Sequence, residues 1–179
     1  TNFTSTGAVD YYVNDGSLAN DVYCSAVGND ANSGALPSKP KANLKALLDS
    51  IDIEPGDTIW VDTGNYSIPS TIKFTSADVG APNATVLIRG SHHAAGSDYT
   101  AASVDGIEVN VAGDAYVRFE NINISGAVHG FYIHGTGASK CRSTEIVGCD
   151  VSNNTSSEGG IYMVQCDGVV IQQCIANND

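Results

Sequence analysis

The sequence predicts an all-β solenoid, with short strands wound into stacked coils and a single α-helix closing the N-terminal end. Three observations predict it. Pairs of short apolar strands recur with a period in the twenties, which is the mark of a stacked-repeat architecture. Only one segment has helical periodicity, and it precedes the repeat. Clusters of Gly, Asn, Asp and Ser separate the apolar runs, as turns between short strands require.

Residues 1–20 are polar and rich in Gly, Asn, Asp and Ser, with Tyr11-Tyr12-Val13 as the one strand-like patch. They read as an extended N-terminal arm. Val22-Tyr23-Cys24 and the loop Gly28-Asn29-Asp30-Ala31-Asn32-Ser33-Gly34 follow, and then Pro37 and Pro40. Leu44, Leu47, Leu48 and Ile51 fall at i, i+3, i+4 and i+7, one apolar helical stripe, so a helix is expected over about 41–51. Pro55-Gly56 ends it.

Beyond it the chain reads as strands. Thr58-Ile59-Trp60-Val61-Asp62 alternates, Gly64-Asn65 turns, and Thr85-Val86-Leu87-Ile88-Arg89 follows. Gly106-Ile107, Gly130-Phe131 and Gly160-Ile161 each open a short strand. A second strand follows each, over Tyr116 to Ile124, Thr144 to Val151 and Val169 to Ile175. The second strands align on Phe119/Ile124, Ile146/Val151 and Val170/Ile175, and both steps fall in the twenties. One such coil cannot bury its own apolar face, so each must stack on its neighbours. Asn153-Asn154 and Asn177-Asn178 end two of the second strands. Stacked amides can bond along such a ladder, and Asn also tolerates left-handed turns.

The loop at 28–34, the helix led in by Pro40, Pro55-Gly56-Asp57-Thr58-Ile59 and Gly64-Asn65-Tyr66 resemble the N-terminal signature of the pectate-lyase-like superfamily of right-handed parallel β-helices. Gly160-Ile161-Tyr162-Met163 and the stretch from Val169 to Asn178 resemble its generic repeat. The resemblance covers about residues 21–179. It implies an arm at 1–20 and a β-helix domain at 21–179, with coils over about 57–179 that are incomplete at the C-terminus. It is specific for fold and poor for function, because enzymes and non-enzymes share this opening. In lyases of the family, Lys or Arg is the base and carboxylates hold calcium. Arg118, Lys140 and Arg142 are the basic residues near the repeats, and Asp150, Glu158, Asp167 and Asp179 the nearby acids. None falls on a family catalytic motif, so no catalytic residue is carried over.

Charge and composition exclude other classes. Twenty acidic residues face eight basic ones, a net charge of −12, which argues against nucleic acid. It argues equally against polyanionic sugars unless a cation such as calcium bridges them. No other cofactor is implied. No apolar run approaches the roughly 20 residues of a membrane span. There is no initiating Met and no signal-like segment, so any targeting peptide is expected to have been removed. Gly135-Thr136-Gly137 lacks the third glycine and the following helix of a dinucleotide site. His129 and His134 have opposite strand parity and are expected on opposite faces, and His92-His93 lies in a loop.

Five cysteines form no CxxC. The spacing from Cys141 to Cys166 equals that from Cys149 to Cys174, and both are close to the coil period. Neighbouring coils lie about 4.8 Å apart, which permits a disulfide in either pair. A stack of reduced, buried thiols is equally compatible. Asn2, Asn65, Asn83, Asn123, Asn153 and Asn154 begin glycosylation sequons, a mild excess that supports a secreted or cell-surface chain. The functional expectation is a non-catalytic structural or adhesive module. Its partners would be further coils of a longer chain, neighbouring subunits reached through the arm, or a polysaccharide. The alternative is the front end of a calcium-dependent polysaccharide lyase or epimerase.

Overall fold

The computed structural model of the chain describes residues 7–176. Their strands wind into about four coils of a parallel β-solenoid. The first coil holds β2 (Thr58–Val61), β3 (Gly64–Ile68) and β4 (Ile72–Phe74), and is preceded by β1 (Asp10–Val13) and α1 (Leu44–Leu48). The second holds β5 (Val86–Gly90), β6 (Ser97–Ala101) and β7 (Ile107–Asn110). The third holds β8 (Gly113–Glu120), β9 (Ile122–Ser125) and β10 (Phe131–His134). The fourth holds β11 (Cys141–Val147) and β12 (Ile161–Val164), and the chain then enters β13 (Cys166–Asp167) and β14 (Val170–Gln172).

Corresponding strands stack into three parallel sheets. One runs β1-β2-β5-β8-β11-β13 with β14 also on β11, the second β3-β6-β9, and the third β4-β7-β10-β12. The expected first strands stack as read: Ile107, Phe131 and Ile161 are register partners. Their opening glycines make the close stacking possible, since a Cβ on Gly160 would lie 2.2 Å from the Val151 carbonyl oxygen. Each inward side chain sits on its counterpart one coil away, as in Ile59–Ile88–Phe119–Ile146. These residues are fully buried, and Phe119 packs edge-on against Phe74 at 5.2 Å.

The expected second strands differ in two ways. The stretch from Tyr116 to Ile124 is not one strand. Asn121 adopts a left-handed φ of 53° and turns the chain from β8 into β9, so its two halves belong to different sheets. The corner is tight: a Cβ on Gly90, the residue below, would lie 2.0 Å from the Asn121 carbonyl oxygen. The last alignment is also off by a single position. Ile171, not Val170, stacks on Ile146, and Ile175 pairs with Asp150 rather than Val151. The physical reason is that the left-handed corners at Gly148 and Gln173 must fall in register, and that sets the length of the step.

At the N-terminal end, α1 covers only Leu44–Leu48, not the whole of 41–51. Lys41 is held in an extended bridge to Val13, with backbone bonds on both sides, so the helix begins only after Asn43. The Asn43 side chain caps it by accepting from the Ala46 N–H at 2.8 Å. Leu44 and Leu47 are fully buried in the core. Tyr11-Tyr12-Val13 lies within β1, paired in register with β2 of the same chain as the outermost rung of its sheet. The Asp62 carboxylate pins the loop before the helix, accepting from the N–H groups of Val22, Tyr23 and Cys24 at 2.7, 2.9 and 2.6 Å.

Outward-facing charges also stack. Glu120 is almost wholly buried and accepts from Arg89 Nε at 2.6 Å and Arg118 Nε at 2.5 Å. Burial pushes its carboxyl up, but hydrogen bonds from the two guanidiniums prevail and hold it below the usual range. A depressed carboxyl stabilises the fold above its unfolded value and loses that contribution as pH falls through the folded one. Glu120→Gln should therefore cost about 1–3 kcal/mol at neutral pH. The gap to the parent should close as pH falls below about 4.5. Denaturant melts at several pH values test this, and a gap independent of pH would refute it.

Candidate functional site

The outward face of the β4-β7-β10-β12 sheet carries the densest cluster of functional side chains. Lys73 on β4, Glu108 on β7, Tyr132 on β10 and Tyr162 on β12 share one register level, the first three each flanked in its strand by buried residues. Four rings form a ridge across it. Tyr132 stacks on His134 at 4.4 Å and on Tyr162 at 5.5 Å, and Tyr162 stacks on His129 at 4.7 Å.

Carboxylates border the ridge. His134 Nε2 donates to Glu108 Oε1 at 2.9 Å, and Lys73 Nζ reaches the other oxygen at 2.8 Å. Burial pushes the Glu108 carboxyl up, but these two donors hold it below the usual range. His129 Nδ1 donates to Asp105 at 2.7 Å, while its buried Nε2 faces Glu158 at 3.4 Å without a hydrogen bond. Burial, with Tyr162, Glu108 and Asp105 nearby, raises the Tyr132 phenol, which stays protonated at neutral pH. The ridge thus offers ring faces, two phenols and carboxylates from three successive coils.

The two histidines correct an expectation. They do not lie on opposite faces, because the His129 and His134 rings lie 5.7 Å and 4.4 Å from the ring of Tyr132. Strand parity applies only inside a strand, and β10 begins at Phe131, so His129 lies in the preceding turn. Tyr132, Tyr162, Glu108 and Asp105 go unread in the sequence. The repeated Phe131-Tyr132-Ile133 and Ile161-Tyr162-Met163 could have found the tyrosines, since equivalent positions in successive coils must stack. His92 and His93 are exposed, as expected, and His92 Nδ1 meets the Asn121 amide at 2.9 Å.

The basic residues named from sequence are dispersed on another sheet and engaged there. Arg118 bonds Glu120 and Glu145, Lys140 lies 3.7 Å from Asp167, and Arg142 lies 3.6 Å from Asp114. Glu158 is beside His129, Asp150 continues the middle sheet as a bridge to Asn123, and Asp179 lies outside the described residues. Asn65, Asp98, Asn123 and Asp150 form a second outward column over a polar trough of about 350 Å³. The larger hollow between α1 and β4, about 570 Å³, shares only Lys73 with the ridge. Among the described residues, no three His, Cys, Asp or Glu side chains converge as a metal site would need.

All five cysteines are thiols. Cys141 and Cys166 are direct register partners, and Cys149 and Cys174 stand just beyond the partners Val147 and Gln172. Of the sequon asparagines, Asn65, Asn83 and Asn153 are exposed. Asn123 is half-buried, with its amide on Asp98 at 2.7 Å. Asn154 is buried, donating to Ile124 and Val151 and accepting from Ala127. Asn2, Asn177 and Asn178 lie outside the described residues.

No protein-family model matches the chain, and no curated protein matches it by sequence. By shape it is similar to the crystal structure of pectate lyase Pel9A, at 13% identity and a TM-score of 0.47, over 94% of this chain and 48% of that one. It is also similar to the GH136 lacto-N-biosidase from Eubacterium ramulus. The selenomethionine form matches at 13% identity and a TM-score of 0.42, over 79% of this chain and 34% of the enzyme. The native form matches at 14% identity and a TM-score of 0.40 over the same shares. The chain thus spans about half or less of each protein. Among the described residues no helix is long and apolar enough to cross a membrane. The strand order itself gives the chain the parallel β-helix architecture that its repeat implies.

Proposed function

We propose that this chain is a non-catalytic, adhesive β-helix module of a secreted or cell-surface protein, and that it engages a neutral polysaccharide along the ridge. The observation that carries this reading is the stack of His129, Tyr132, Tyr162 and His134 with carboxylates along its border. Aromatic rings offer apolar area to the C–H face of a sugar, and phenols and carboxylates can bond its hydroxyls. Asp105, Glu108 and Glu158 against the single cation Lys73 would repel a polyuronate and tolerate a neutral chain. Against catalysis stands the engagement of Arg118 by Glu120 and Glu145, because a base held by carboxylates is not free to take a proton.

The structural side of the reading rests on the last coil. Met163, Val170, Ile171 and Ile175 are 45%, 38%, 41% and 51% exposed, an apolar edge suited to further coils or a neighbouring subunit. β1 is paired with β2 along one edge, so within this chain it serves as a rung of the first sheet.

Titration against neutral and acidic polysaccharides should give binding to a neutral class only. Tyr132→Ala with Tyr162→Ala should weaken it at least about tenfold, each ring contributing about 1 kcal/mol. Unchanged binding in the double variant would remove the ridge from the proposal. Incubation with pectate or alginate, with and without calcium, should yield no unsaturated product, and its appearance would restore the lyase alternative. Folded chain from a glycosylating secretory host should carry glycan at Asn65, Asn83 and Asn153 and none at Asn154, read by glycopeptide mass spectrometry. Occupancy at Asn154 in folded protein would contradict its buried bonding.

A further inference from the structure

Two cysteines occupy equivalent places one coil apart. Cys149 Sγ lies 3.5 Å from the Val147 carbonyl oxygen and 3.9 Å from that of Phe119. Cys174 Sγ lies 3.2 Å from the Gln172 carbonyl oxygen and 3.4 Å from that of Ile146. Those carbonyls belong to residues that are themselves register partners, Val147 with Gln172 and Phe119 with Ile146. Each cysteine follows a left-handed corner residue, Gly148 or Gln173, and the Ile175 N–H donates to the Cys149 carbonyl at 2.9 Å. The two side chains are therefore one arrangement translated by a coil step. That step, about 4.8 Å, lies inside the span of about 4.4–6.8 Å between the Cα atoms of a disulfide.

The pair is asymmetric. Cys149 is buried in the core, while Cys174 is half-buried at the edge. The nearness of the two thiols is the largest influence holding Cys174 below the ordinary thiol range, and the same nearness, with burial, pushes Cys149 up. The other pair differs. Cys166 Sγ meets the Ile133 and Val164 carbonyls at 3.0 and 3.4 Å, as Cys174 meets its own two, but Cys141 Sγ turns aside to Thr144 Oγ1 at 3.7 Å, and burial pushes Cys166 up to about 11.

We propose that Cys174 and Cys149 form an oxidisable thiol pair, with Cys174 the attacking sulfur and Cys149 the resolving one, that staples the last coil to the one before it. With a small-molecule disulfide as oxidant, the Cys174 thiolate attacks one of its sulfurs. A protein–small-molecule disulfide forms and one thiolate leaves, taking up a proton. Cys149 then loses its proton and attacks Cys174 Sγ, expelling the second thiol. Two protein thiols are oxidised to one disulfide, and one disulfide is reduced to two thiols.

The test is incubation of the whole chain with oxidised glutathione under native conditions, followed by intact mass and peptide mapping. The expected product has lost two hydrogens and links Cys149 to Cys174. Cys149→Ser should stop at a glutathione adduct on Cys174, and Cys174→Ser should give neither adduct nor link. In the untreated chain, iodoacetamide at neutral pH should label Cys174 at least about tenfold faster than Cys166. A Cys141–Cys166 link forming first, five thiols unchanged by the oxidant, or equal labelling of Cys174 and Cys166 would each overturn the proposal.

Discussion

In-register stacking is the constraint on which the rest of this structure depends. Every strand ladder among the described residues is parallel, so a residue in one coil meets the same structural position in the next, not a complementary one. Apolar residues satisfy that easily, because like stacks well on like. The inner columns of Ile, Val and Phe form one continuous core from Val13 to Val151. Backbone groups are satisfied in the same direction, between coils, so no coil is stable without a neighbour.

Charges cannot obey the same rule, since like charges in register repel. With a net charge of −12 the chain has few cations to spare, and the structure places them at the stacking positions. Arg89 stands opposite Glu120, Arg118 opposite Glu145 and Lys73 opposite Glu108. Trp60 extends the first column, with the Arg89 guanidinium 5.4 Å from its ring centre and the indole N–H donating to Asp10 at 3.0 Å. Asp57 and Asp62 have no cationic register partner and are buried, and backbone N–H groups satisfy them instead.

Much of this is legible in the sequence, because a repeat reports a solenoid directly. The glycine-opened strands align at the correct register, and both cysteine steps are true inter-coil neighbours. Backbone conformation at single residues is not legible. The apolar pattern of Tyr116 to Ile124 marks Asn121 only by a change of parity, from Val117 and Phe119 to Ile122 and Ile124, and a one-residue stagger reads equally as a bulge within a single strand. The helix is shorter than its stripe for a similar reason. The stripe is real, but Lys41 is claimed by a bridge to Val13, and no local signal announces a long-range pairing. The histidines mislead because parity holds only within a strand, and the strand boundary is set by the structure. The tyrosines of the ridge recur in the repeat, but its acids carry no motif, since they come from separate coils and converge only when stacked.

The ridge and the thiol pair arise from that same stacking, and they differ in what the repeat does with a reactive group. On the outer face, repetition of Tyr at one position builds an extended surface, and extended surfaces suit extended ligands. In the function proposed, one ring would offer a sugar a single contact, whereas rings at successive coils would offer a chain of sugars a track whose pitch the solenoid fixes. On the inner face, repetition of Cys places two sulfurs at a separation that the backbone cannot easily change. Their nearness lowers one thiol and raises the other, although both occupy the same structural position. What separates them is burial: Cys149 has coils on both sides, and Cys174 is half-exposed beyond it. A repeat that makes neighbours identical in geometry thus makes them unequal in chemistry wherever the environment on one side changes.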